Sequence, residues 1–171
     1  LKLGISNSIR NPIGSKSIEK LIREHGKNTL IIVDDNTRQT PQKTILPILI
    51  EELNDCGVSD EDITILIALG THRPMSEDEC TERFGKEVMS RIKVINLSQN
   101  EDDFLLIEKT QSGIPVSVAK IYLESDISIA VGNIIPHMYA GWAGGAKLIQ
   151  PGITNKLTTG YTHLMAGENV Y

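Results

Sequence analysis

Four stretches of this 171-residue chain gather side chains that can do chemistry. Asp34-Asp35-Asn36-Thr37-Arg38 sets carboxylates beside a guanidinium, whose planar fork suits phosphate or carboxylate. A surface turn with a local salt bridge is the other reading of the Asp35/Arg38 pair. Gly70-Thr71-His72-Arg73-Pro74 and Gly132-Asn133-Ile134-Ile135-Pro136-His137 each carry one histidine. Imidazole titrates near neutral pH, so two histidines converging on one crevice favour general acid–base roles. Gly141-Trp142-Ala143-Gly144-Gly145-Ala146-Lys147 presents a lysine on a turn of small residues, where the amine can act as a charge clamp or bond to a carbonyl-type carbon of a ligand. It is not a phosphate loop, because Ala146 stands at the second glycine and Leu148 replaces the magnesium-binding hydroxyl. His163 sits in a helical pattern, where a packed or solvent-facing ring and a ligand role both remain open. His25, near a helix end, reads as surface decoration favoured by the helix dipole. The histidine separations match no local zinc motif.

The elements that must position these groups follow from hydrophobic periodicity. Thr29–Val33, Ile63–Leu69 and Asp126–Val131 are short, continuous apolar runs of strand length, and Ile92–Ile95 is a further strand candidate. Between them lie helical patterns. Ile18, Leu21 and Ile22 share one face within Ser15–His25, and Ile45, Leu46, Leu49 and Leu53 share a face after Thr40, read as an N-cap with Pro41 at the first helical position. Ser76 with Glu79 has the capping-box spacing for a short helix ending near Gly85. Phe104–Lys109 and Ile114–Ala119, joined by Gln111-Ser112-Gly113, read as a hairpin, and a last helix is expected from about Thr154 to Met165. Strands apolar on both faces and separated by helices predict an α/β fold: a three-layer, Rossmann-like, doubly wound, mainly parallel sheet with a small antiparallel hairpin excursion. In such sheets ligands bind beyond the carboxyl ends of the strands. The first three polar clusters begin at such ends and the lysine turn follows the third, which makes them one expected site. Strand order is not readable from this pattern.

Composition bounds the function. Hydrophobic residues make up 40% and charged residues 23%, with a net charge of -5, so the chain is expected to fold and to bind neither nucleic acid nor an anionic membrane. No apolar run is long enough to cross a bilayer and no signal-peptide core opens the chain, which makes a cytoplasmic location the expectation. Cys56 and Cys80 read as free thiols. The absence of an initiator Met is expected of a trimmed piece.

Together, Asp35-Asn36-Thr37-Arg38-Gln39-Thr40-Pro41, Gly70-Thr71-His72-Arg73-Pro74-Met75 and Pro136-His137-x4-Trp142-x-Gly144-Gly145-x-Lys147-x3-Pro151-Gly152 resemble the nickel-dependent lactate racemase family, from about Asn11 through His163. The resemblance implies a racemase or epimerase of a small 2-hydroxy acid. The reaction would proceed by hydride transfer to a covalently tethered nickel pincer nucleotide, through a 2-keto acid. It further implies that His72 and His137 are the acid–base pair, that Lys147 is the covalent anchor, and that His163 is the nickel ligand. The loop of Asp35, Asn36, Thr37 and Arg38 would bind the cofactor's nucleotide part or lie beside the substrate. Cofactor-synthesis enzymes are implied partners. Residues 1–171 would then be a single domain, the N-terminal cofactor-carrying part of a longer two-domain protein whose C-terminal domain is absent here. Such a piece is expected to be inactive alone and, made in an ordinary host, to carry no cofactor. Two rival readings are a non-catalytic module binding a nucleotide or organic acid, and a metal-dependent lyase or hydrolase using the same histidines.

Overall fold

The computed structural model describes residues 2–168, so residues 1 and 169–171 of the expected 1–171 domain lie outside the description. In chain order the helices are α1 (Lys2–Arg10), α2 (Ile18–His25), α3 (Gln42–Asp55), α4 (Glu77–Phe84), α5 (Lys86–Arg91), α6 (Lys120–Glu124) and α7 (Lys156–Glu168). The strands are β1 (Thr29–Asp34), β2 (Ile63–Ala68), β3 (Lys93–Asn96), β4 (Phe104–Lys109), β5 (Pro115–Ala119), β6 (Ile127–Val131), β7 (Pro136–His137) and β8 (Gly141–Trp142). No helix among the described residues is long and apolar enough to cross a membrane.

The main sheet has the order β3-β2-β1-β6, with every neighbouring pair parallel. β4 and β5 form the expected antiparallel hairpin, with a register shift between Leu106 and Glu108. All six residues of β1 are buried. Successive side chains of a strand point to opposite faces, so the sheet is covered on both sides, as its apolar runs require. The edge strands β3 and β6 alternate or are only partly covered, which is why they are weaker in the sequence. Ile31, Ile32, Ile65, Leu66 and Ile67 lie at the centre of an aliphatic core that also takes Leu46, Leu53 and Phe84 from the helices.

Local chemistry explains the helix limits. Ser17 caps α2, and Ile18, Leu21 and Ile22 pack on the core from that helix. The capping box at Ser76 and Glu79 starts α4 as its spacing requires. Thr40 does not cap α3. Pro41 takes that position without a side-chain bond, because the Thr40 hydroxyl is turned to the Asp34 carboxylate instead. α7 begins two residues later than expected because Asn155, not Thr154, accepts the Thr158 N–H at 2.9 Å. Cys56 and Cys80 are free thiols, half-buried and buried. None of the residues of helix α1 is fully buried, though Ile5 and Ile9 are half-buried and Ile9 packs against the core. The helix docks on α3 through Ser6 and Arg10, both bonded to the buried Glu52 carboxylate.

Candidate functional site

Strand order decides where the chemistry meets. β1 and β2 leave the sheet on one side of its centre, and the chain next returns beside β1 as β6, so the direction of winding reverses between β1 and β6. At such a reversal the loops beyond the carboxyl ends part and leave a crevice. A cleft of about 310 Å³ opens there. Asp35 and Arg38 enter it from the β1 loop, His72 from the β2 loop, His137 from beyond β6, Lys147 from the glycine-rich turn and His163 from α7. Asn36 and Thr37 do not line it. Asn36 donates to Glu79 at 3.0 Å, and Thr37 folds back on Asp35.

Asp35 is buried, while the His72 side chain is 47% exposed. Their contact, Nδ1 to Oδ2 at 2.5 Å, spans two loops. Burial pushes the Asp35 carboxyl up, but hydrogen bonds from Thr37 and His72 outweigh it and leave the group below its ordinary value. An ionised Asp35 can only accept, so the proton between them lies on His72 Nδ1, and in the neutral ring the lone pair is on Nε2. His137 has the opposite polarity. Its Nδ1 accepts the backbone N–H groups of Tyr139 and Ala140, each at 3.3 Å, so the neutral ring carries its proton on Nε2. The pair presents one acceptor and one donor.

The two-residue hairpin β7–β8 sets the position of His137, with His137 opposite Gly141. Gly144 follows at φ +72, and a Cβ there would stand 2.8 Å from the Asn133 carbonyl oxygen, so only glycine lets this turn close on the end of β6. Leu148 is buried, fixing the turn from below and leaving Lys147 half-exposed at the cleft wall. His163 is held in register by its neighbour Thr162, whose hydroxyl accepts from Gln150 at 2.5 Å.

Charge in the cleft is unbalanced. The Asp34 carboxylate is taken up by Thr40, Gln42 and Arg83, and Asp35 by Thr37 and His72. Neither Arg38 nor Lys147 has a side-chain partner among the described residues, which suits an anionic ligand. Burial and the Arg38 charge lower the Lys147 amine below its ordinary value. Burial, then Lys147, Arg38 and His163, lower His137 as well. A lowered lysine is neutral, and so nucleophilic, over more of the physiological pH range. In the isolated chain, acetylation of Lys147 by a small anhydride should reach its plateau rate at lower pH than acetylation of exposed lysines such as Lys20 and Lys156. Peptide mass mapping across a pH series reads this directly, and a coincident profile for all three would contradict it.

Sequence reasoning passed over two residues. Arg83 donates to both ends of the Asp34–Arg38 loop, and Glu79 bonds residues of the β1 and β2 loops. The capping-box spacing marked Glu79, but only as a helix signal.

The model of the lactate racemase N-terminal domain family matches residues 2–170 of the chain. The lactate racemase of Thermoanaerobacterium thermosaccharolyticum is 36% identical over 152 residues, covering 88% of this chain and 35% of that protein. That of Lactiplantibacillus plantarum is 33% identical over 161 residues, covering 93% and 37%. The chain thus spans little more than a third of the length of these relatives. The structure of the Thermoanaerobacterium thermosaccharolyticum lactate racemase apoprotein superposes with a TM-score of 0.84 at 31% identity, over 92% of this chain and 38% of that one. A Thermotoga maritima protein shares the fold at a TM-score of 0.78 and 23% identity, over 97% of this chain and 41% of that one.

Proposed function

Because this chain belongs to the lactate racemase N-terminal domain family, we propose that it is the cofactor-carrying part of a two-domain racemase or epimerase of a small, lactate-like 2-hydroxy acid. One observation carries the reading: His72, His137, Lys147 and His163 line a single cleft at the reversal point of the sheet.

Inverting a 2-hydroxy acid by removing its Cα proton would create a poorly stabilised carbanion. Taking the Cα hydrogen with its electron pair avoids that, provided a base removes the hydroxyl proton. A nickel pincer nucleotide, when bound, supplies acceptance and return of that hydrogen. The residues present fit such a group. Among the described residues no cluster of three or more His, Cys, Asp or Glu is arranged to hold a metal ion. A lone imidazole, His163, suits a metal that brings sulfur donors of its own. Lys147, its amine lowered by burial and by Arg38, suits covalent attachment. Arg38 suits a phosphate or the substrate carboxylate.

The chain's own part in the reaction is proton handling. Nε2 of the neutral His72 ring takes the hydroxyl proton while Asp35, bonded at Nδ1, stabilises the ring that has gained it. His137, with its N–H at Nε2, hydrogen-bonds the carbonyl oxygen of the planar 2-keto acid. When the hydrogen returns to the opposite face of the planar acid, the protonated His72 ring gives its proton back to the oxygen, which His137 holds throughout.

The test uses full-length protein produced alongside the cofactor-synthesis enzymes. Either pure enantiomer of lactate, or of a related 2-hydroxy acid in a panel, should be carried to an equal mixture. Protein with stoichiometric nickel and a modified Lys147 that inverts no 2-hydroxy acid would overturn the proposal. The isolated chain, made without those enzymes, should carry neither nickel nor added mass.

A further inference from the structure

Helix α4 lies outside the cleft, yet two of its side chains reach the loops that build it, Glu79 both of them and Arg83 the first. Glu79 accepts from Asn36 at 3.0 Å, from the Arg73 guanidinium at 2.6 and 2.8 Å, and from the Ser76 N–H at 2.8 Å. A capping box needs only the last of these. The others hold the residue after Asp35 and the residue after His72 on one carboxylate. Its pKa is pulled down to about 2, chiefly by the Arg73 hydrogen bonds, so it stays anionic throughout the neutral range.

One turn further along, Arg83 reaches the first loop. It donates Nε to the Asp34 carbonyl at 3.2 Å, Nη1 to the Arg38 carbonyl at 2.9 Å and Nη2 to the Asp34 carboxylate at 2.5 Å. The fork thereby fixes the backbone on both sides of Asp35. Residues four apart share a helix face, so both clamps act from one rigid surface. The contact they frame, Asp35 to His72, joins loops from adjacent strands.

We infer that Glu79 and Arg83 are positioning residues whose joint hold on the β1 and β2 loops sets the meeting of Asp35 with His72. Their effect on turnover rests on the racemase reading given above, whereas their effect on the Asp35–His72 contact does not.

The deciding experiment uses full-length protein labelled with 15N-histidine. In the wild type, the His72 Nδ1 proton should be visible and slow to exchange with solvent. Glu79→Gln keeps a capping side chain but gives up the charge and one acceptor oxygen. Arg83→Lys keeps the charge but cannot fork over three acceptors. In each, exchange of that proton should be at least about 10-fold faster, and turnover of the cofactor-loaded enzyme about 10–100-fold slower with KM little changed, as expected for misplacement of a group without loss of binding. Unchanged exchange and turnover in both variants, or no slowly exchanging His72 proton in the wild type, would overturn the inference. If either variant fails to fold, Arg73→Gln cuts the same link from a side chain 69% exposed, and the same two readings decide. A wild-type enzyme inactive on every 2-hydroxy acid would count against the racemase reading alone, and the exchange measurement would still judge the clamp.

Discussion

Under the proposed function, replacing His72 with glutamine in the cofactor-loaded, full-length protein should lower turnover of a 2-hydroxy acid by about 10²–10⁴-fold, the range general acid–base groups supply. The expectation follows from geometry. The Asp35 carboxylate fixes the proton of His72 on Nδ1, which leaves Nε2 as the acceptor of the neutral ring, in a residue that lines the cleft. Glutamine can fill much of the space, but its amide has no useful basicity. The loss should be the same from either enantiomer when expressed as kcat/KM, because enantiomers are equal in free energy and the two directions must stay balanced. Asp35→Asn should act in the same direction, since an amide no longer enforces the Nδ1 proton. Chiral chromatography of timed samples, begun from each pure enantiomer, measures all of this. Turnover within a few-fold of wild type in His72→Gln would remove the histidine from the reaction.

Lys147→Ala should have the larger effect, bringing racemisation below detection together with loss of the mass added to this segment. Lys147→Arg separates two roles that the wild-type residue could combine. Arginine keeps a cation at the cleft wall but has no amine that can be acylated near neutral pH. If Lys147 only clamps charge, Lys147→Arg retains much of the activity. If it anchors the cofactor, both variants lose the adduct and the activity together. Intact-mass analysis of protein made alongside the cofactor-synthesis enzymes distinguishes these outcomes, and an adduct surviving in Lys147→Ala would refute the anchor. The side chain is half-exposed and has no hydrogen-bond or ion-pair partner among the described residues, so neither change should unfold the domain.

Much of the architecture was legible in local pattern. Strands buried on both faces need largely apolar runs, and β1 and β2 supply Leu30–Val33 and Ile65–Ala68, with Thr29, Asp34 and Thr64 the polar exceptions near their ends. The N-cap at Ser76 was legible because capping depends on residues three apart. Helix α1 was not, since its short Ile5/Ile9 stripe is only half-buried and the helix is held by Ser6 and Arg10 against Glu52, more than forty positions away. The hairpin β7–β8 was missed for a different reason: two-residue strands have no periodicity to detect. For the candidate site, residue types and their placement after strands identified Asp35, Arg38, His72, His137 and Lys147 as one cluster, and all five line the cleft.

What the amino-acid sequence determined alone was the class of fold, the edge of the sheet where polar groups collect, and the kinds of chemistry they can do. These depend on periodicity and on residue type, and both are local. The tertiary structure alone decided that β6 returns beside β1, which carries His137 across to the Asp35–His72 pair. It alone assigned opposite proton positions to the two imidazoles and placed Glu79 and Arg83 behind the loops. Each of these rests on hydrogen bonds or strand pairings whose direction and partners are chosen only when the whole chain packs.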